Sequence, residues 1–132
     1  MKKLLFIIIL GITTAGFSQN KEEKKLSELL CRTWKLNYGT INGNKIGGLE
    51  VVTDKFIFSS NKTYKLFSSD STSIDGIWKY NLITKFVELS SAEDGRSTGI
   101  IKSVNENELI LIPANKSFPK EWNAEFIFKA DE

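Results

Sequence analysis

From residue 33 onward the chain is a string of short runs rich in β-branched and aromatic residues, joined by polar turns with no helical stretch between them. The runs are Thr33–Tyr38, Lys55–Ser59, Thr63–Phe67, Ile74–Asn81, Phe86–Ser90, Thr98–Val104, Glu108–Pro113 and Ala124–Lys129. Within them large apolar residues recur at i, i+2: Trp34/Leu36, Phe56/Phe58, Tyr64/Leu66, Trp78/Tyr80, Val87/Leu89, Leu109/Leu111 and Phe126/Phe128. Each pair shares one face of a sheet. Ser60-Asn61-Lys62, Glu93-Asp94-Gly95-Arg96 and Asn105-Glu106-Asn107 are tight turns, and Asp-Gly is a strong hairpin signal. The longer links are Gly39–Asp54, with Gly43, Gly47 and Gly48, and Ala114–Asn123, with Pro119. Strand after strand without crossover helices predicts an all-β, up-and-down antiparallel meander of about eight strands.

An open sheet of that size has two edges to protect, and closure into a barrel removes both. Ahead of the first strand lies one short helical pattern, Asn20 to Leu30. Leu26, Leu29 and Leu30 form its apolar side, Lys and Glu fill the rest, and Asn20 is placed to cap it. A helix this short needs tertiary support, so its leucines are expected to plug one end of the barrel.

The N-terminus reads differently. Met1-Lys2-Lys3 precedes the apolar run Leu4 to Ile12, and small residues lead to Ser18, the anatomy of a secretory signal peptide over residues 1–18. The run falls short of the roughly 20 apolar residues a bilayer span needs. The expected mature domain is 19–132, secreted or periplasmic, with no transmembrane segment and in monomeric form. Without Lys2 and Lys3 the 18 basic residues become 16, against 16 acidic. A neutral chain gives no reason to expect nucleic acid as a partner.

Histidine is absent and cysteine occurs once, at Cys31. No Ser-His-Asp triad, His-ligated metal or intrachain disulfide is available, and no cofactor is implied. Cys31 follows two leucines and is expected to be a buried, inert thiol. Asp70 and Asp75 flank Ser71-Thr72-Ser73 without the alternating ligands of a calcium loop, and a solvated loop is expected.

Several motifs resemble the bacterial lipocalin-like domain family of small secreted or periplasmic β-barrels. Leu30-Cys31-Arg32-Thr33-Trp34-Lys35-Leu36 is similar to the family's opening L-x-G-x-W-K-L, with Arg32 in place of glycine. Phe58-Ser59-Ser60-Asn61-Lys62-Thr63-Tyr64 resembles its F-x-x-D/N-G-T-Y hairpin. Gly76-Ile77-Trp78-Lys79-Tyr80 resembles its G-x-W-x-Y/F strand, and Leu109-Ile110-Leu111 its late L-x-L strand. The resemblance runs over roughly 26–130. It implies a calycin-type barrel, a tryptophan closing the barrel base beneath the helix, and an apolar small molecule as ligand. Arg32 is expected to reach solvent.

On this reading the barrel interior is built from Trp34, Phe56, Phe58, Tyr64, Leu66, Trp78, Tyr80, Leu111 and Phe126. These are the candidate ligand-binding residues, with Tyr64 or Tyr80 as a polar handle at the barrel mouth. Two functions stay open: a binder of a small apolar ligand in the barrel, or a cell-envelope module with a filled barrel that binds protein or polysaccharide through its surface. No assembled set of acid, base and nucleophile points to an enzyme.

Overall fold

The computed structural model describes residues 21–49, 53–114 and 118–131. The expected signal peptide and the Asn20 cap lie outside these residues. Helix α1 spans residues 21–30. The strands are β1 (Thr33–Ile41), β2 (Asn44–Ile46), β3 (Lys55–Ser59), β4 (Thr63–Phe67), β5 (Ser73–Tyr80), β6 (Val87–Ser91), β7 (Ser97–Val104), β8 (Glu108–Pro113) and β9 (Glu125–Ala130). All pair antiparallel with their neighbours, and β1 pairs with β9 from Trp34↔Ala130 to Thr40↔Glu125. That last ladder closes β1 and β3–β9 into an eight-stranded up-and-down barrel, as the succession of turns and strands predicts. No helix among the described residues is long and apolar enough to cross a membrane.

The ninth strand, β2, differs from expectation. It lies inside the stretch read as a plain link, Gly39–Asp54. Asn42 (φ 50°) and Gly43 (φ 83°) form a two-residue turn, and β2 folds back on β1 through Gly39↔Ile46 and Ile41↔Asn44. Two successive positive φ values are what a type I′ hairpin turn demands, and Asn-Gly meets that demand with least strain. β1 is consequently longer than its predicted Thr33–Tyr38.

Alternation sets the inside of the barrel. Phe56/Phe58, Tyr64/Leu66, Val87/Leu89, Leu109/Leu111 and Phe126/Phe128 are all buried. In β1 a bulge falls between Leu36↔Phe128 and Tyr38↔Ile127. It flips the strand's phase, so that Gly39, not Tyr38, faces inward opposite Phe126. A Cβ at Gly39 would collide with the Leu49 side chain, which is buried in the space the glycine leaves.

One barrel end is closed by α1. Leu30 and Trp34 are fully buried, and the Trp34 indole N–H donates to the Leu30 carbonyl at 3.0 Å. Leu26 packs on the same cluster, whereas Leu29 is half-buried and stands outside it. Glu23 bonds Lys62 on the β3–β4 turn at 2.6 Å, and Glu22 bonds Lys85 on the β5–β6 turn at 2.8 Å. The Glu22 carboxylate raises the Lys85 pKa above its ordinary value. Arg32 corrects the expectation of a side chain simply reaching solvent. Its guanidinium lies over the Trp34 ring at 5.5 Å and donates to the Glu106 carbonyl on the β7–β8 turn at 2.8 Å. Helix and arginine therefore span three hairpin turns. Cys31 is half-buried, not fully enclosed, with its sulfur 3.4 Å from Ser27 Oγ.

Candidate functional site

The nine residues predicted for the interior come together there. Trp34, Phe56, Phe58, Tyr64, Leu66, Trp78, Leu111 and Phe126 are buried, and Tyr80 is half-buried against them. Their rings pack on one another. Phe56 stacks on Phe58 with centroids 5.1 Å apart and meets the edges of Tyr64 (5.6 Å) and Phe128 (5.2 Å). Such geometry is that of a close-packed aromatic core. Trp78 sits at the helix end like Trp34. Its N–H donates to the Ser59 carbonyl at 3.0 Å, and the Lys62 ammonium lies over its ring at 4.2 Å.

Tyr64 brings a polar group into the barrel. Its ring crosses the bare backbone of Gly76 on β5, where a Cβ would overlap the phenol. The hydroxyl ends 2.5 Å from Thr98 Oγ1 and 3.3 Å from the Ser90 carbonyl oxygen. One side chain of β4 thus reaches β6 and β7. Burial raises its pKa above the ordinary 10.0, and the Thr98 hydrogen bond works in the opposite direction. Thr98 is available because the β6–β7 register shifts between Leu89↔Gly99 and Ser90↔Ser97.

Away from the helix, the barrel has a cleft that sequence reasoning missed. The β8–β9 ladder ends at Leu111↔Phe126, and beyond that pair the two strands part. Between them lies a slot of about 440 Å³. Ile100, Ile112, Pro113, Phe118 and Pro119 give it apolar walls, and Lys120 and Asn123 add polar groups. On the β7 side it meets Gly99, which has φ 152° and could not carry a side chain, since a Cβ would come 2.6 Å from the Ile112 carbonyl oxygen. Phe118 lies between slot and core, its ring edge-on to Phe126 at 5.5 Å. The short 3-10 turn Lys120–Trp122 that follows is fixed to the β1–β2 hairpin. The Asn42 N–H donates to the Trp122 carbonyl at 2.8 Å, and the Asn123 amide donates to Asn42 Oδ1 at 3.1 Å. The slot residues escape the period-2 pattern because Ile100 and Ile112 point outward and Phe118 belongs to a link. A lone phenylalanine beside Pro119 in a polar link was the available signal.

The carboxylates take structural roles. Asp70 accepts hydrogen bonds from Ser68 Oγ at 2.7 Å, Thr72 Oγ1 at 2.8 Å and the Thr72 N–H at 3.1 Å. The Ser68 hydroxyl, with help from Thr72, holds its pKa down at about 2. Asp75 lies 3.7 Å from Lys65 on the neighbouring strand. Asp94 Oδ1 accepts the Arg96 N–H at 3.0 Å and shapes the β6–β7 turn.

No protein-family model matches this chain, and no curated protein matches it in sequence. Among solved structures, a DUF4847 family protein from Bacteroides vulgatus ATCC 8482, determined by crystallography at 1.00 Å resolution, has a similar fold. The TM-score is 0.56 over 80% of this chain and 97% of that one, at 12% identity. The likeness places the chain among small β-barrel proteins of that architecture and speaks for the fold alone.

Proposed function

We propose that this protein is a secreted or periplasmic binding protein of the lipocalin-like kind, not an enzyme. It works as a monomer and takes a small apolar ligand at the barrel mouth. The observation that carries this reading is the slot between the parted ends of β8 and β9. Its volume falls within the range of small-molecule sites, and its walls are apolar with a few polar groups, as such sites are built. The predicted interior residues then serve as the packed support behind the site, with Phe126 and Leu111 nearest to it. The sequence supplies the compartment: a basic start, an apolar run and a small-residue exit at Ser18.

The test is a fluorescence titration of the mature protein, residues 19–132, with 1-anilinonaphthalene-8-sulfonate. Saturable uptake at one site is expected, weakened in Ile112→Trp, whose larger side chain intrudes on the slot. Absence of a saturable signal in the wild type overturns the reading. N-terminal sequencing of the protein from the culture or periplasm is expected to begin at Gln19, and a product retaining Leu4–Ile12 would refute secretion by cleavage.

A second reading, an envelope module acting through its surface, draws on the β5–β6 turn. There Asn81 Oδ1 accepts the N–H groups of Ile83 and Thr84 at 2.9 and 3.1 Å. That ordered turn holds Ile83 outward with 92% of its surface exposed. Retention of binding to a cell-envelope fraction by Ile112→Trp, and its loss in Ile83→Ser, would favour this reading.

A further inference from the structure

We infer that Phe118 is the length gate of the slot: its ring separates the apolar cleft from the barrel core and so fixes how long a ligand the protein accepts. The inference rests on the slot being a binding site, as proposed above. Phe118 lines the slot and at the same time packs on the core, edge-on to Phe126 at 5.5 Å. Phe126 is 2% exposed and does not line the slot, so a ligand lying in the cleft meets Phe118 before it meets the core. The neighbouring wall is Gly99, which presents backbone only. The Leu111 methyl stands directly behind it, 3.1 Å from where a glycine Cβ would be.

Among the described residues, slot and core are thus divided at this point by one aromatic ring and one glycine. The glycine is fixed by its conformation and by the Ile112 carbonyl, so it cannot be the variable part. The ring can. It belongs to the link between β8 and β9 and not to a strand ladder. Removing it joins the slot to the apolar surface of Phe126 and lengthens the apolar path inward. A change at residue 118 alone therefore sets the preferred chain length without rebuilding the barrel.

Straight-chain primary alcohols from butanol to dodecanol, competing with 1-anilinonaphthalene-8-sulfonate, read this directly. Each methylene buried in the slot raises affinity about fourfold, until the chain reaches the gate and the gain stops. In wild type that plateau is expected at a short chain. In Phe118→Ala it moves to longer alcohols by roughly two to four methylenes, and in Phe118→Leu by fewer, because a larger void admits more chain. Phe118→Leu conserves apolar packing and keeps the test decisive should the alanine variant not fold. Wild-type binding with an unchanged plateau in a folded variant overturns the gate and leaves the binding site standing. Binding by the variants alone overturns the wild-type slot and the gate with it, since the substitution has then made the site. No saturable binding by any of the three proteins overturns both.

Discussion

Replacing Gly76 with alanine adds a single methyl group to a buried position, and the geometry predicts a loss out of proportion to that change. The new Cβ would lie under 3.0 Å from three atoms of the Tyr64 side chain, so the phenol cannot stay where it is. Forcing an atom into a packed core costs about 1–3 kcal/mol. Displacing the hydroxyl from Thr98 and the Ser90 carbonyl costs roughly 0.5–1.5 kcal/mol more. Disturbing the ring contacts with Phe56 and Phe58 adds about 0.5–1.5 kcal/mol. The total is about 2–6 kcal/mol, a fall in Tm of roughly 8–24 °C for a domain of this size. Urea denaturation of a double-mutant cycle isolates the cause. With Tyr64→Leu already in place, the collision has no partner, and Gly76→Ala is expected to cost less than about 1 kcal/mol. Equal costs in the two backgrounds, within about 0.5 kcal/mol, would falsify the claim that the glycine exists to admit the Tyr64 ring.

Trp34→Ala removes a fully buried indole and its bond to Leu30, and is expected to cost roughly 3–5 kcal/mol in denaturant unfolding; an unchanged midpoint would rule out its role in seating α1. Tyr64, with its pKa raised in the fold, stabilises fully below pH about 10 and loses that contribution as pH rises through the folded value. Urea midpoints should fall less steeply above pH about 10 in Tyr64→Phe than in wild type, and parallel curves would contradict the burial of the hydroxyl. Asp70, held low by Ser68 and Thr72, is expected to titrate at about 2 by carboxyl NMR, so the support it gives its turn starts to fall below the ordinary 3.8 and is lost as pH falls through about 2. A midpoint at the ordinary 3.8 would show that these hydrogen bonds do not persist in solution.

Period-2 alternation made most of the barrel legible. Lys55–Ser59, Thr63–Phe67 and Glu108–Pro113 coincide with β3, β4 and β8 because each carries two large apolar residues at i, i+2 between clear turns. β1 was cut short because the bulge after Leu36 breaks that alternation, and its inward residue beyond the bulge is a glycine with no side chain to signal it. β2 was hidden by the glycines around it, although Asn42-Gly43 carried the turn signal. The interior residue set followed from alternation. The partnership of Tyr64 with Thr98 did not, since the two are 34 residues apart and are joined by a register shift that no local pattern announces. The slot was invisible for a similar reason. It arises where two strands stop pairing, and where a pairing ends depends on tertiary geometry more than on composition.

The ladder between β1 and β9 also bears on how the chain is made. Every other ladder joins strands next to each other in sequence or, for β1 and β3, separated only by the short β2, whereas this one joins residues 33–41 to residues 125–130. During synthesis from the N-terminus, the partner of β1 is the final strand to emerge. Until then the nascent sheet carries two unpaired edges, one of them the row of N–H and C=O groups along β1, open to pairing with other chains. Aggregation risk is therefore concentrated in the interval before β9 is released, and a chain broken off before Glu125 would stay in that state permanently.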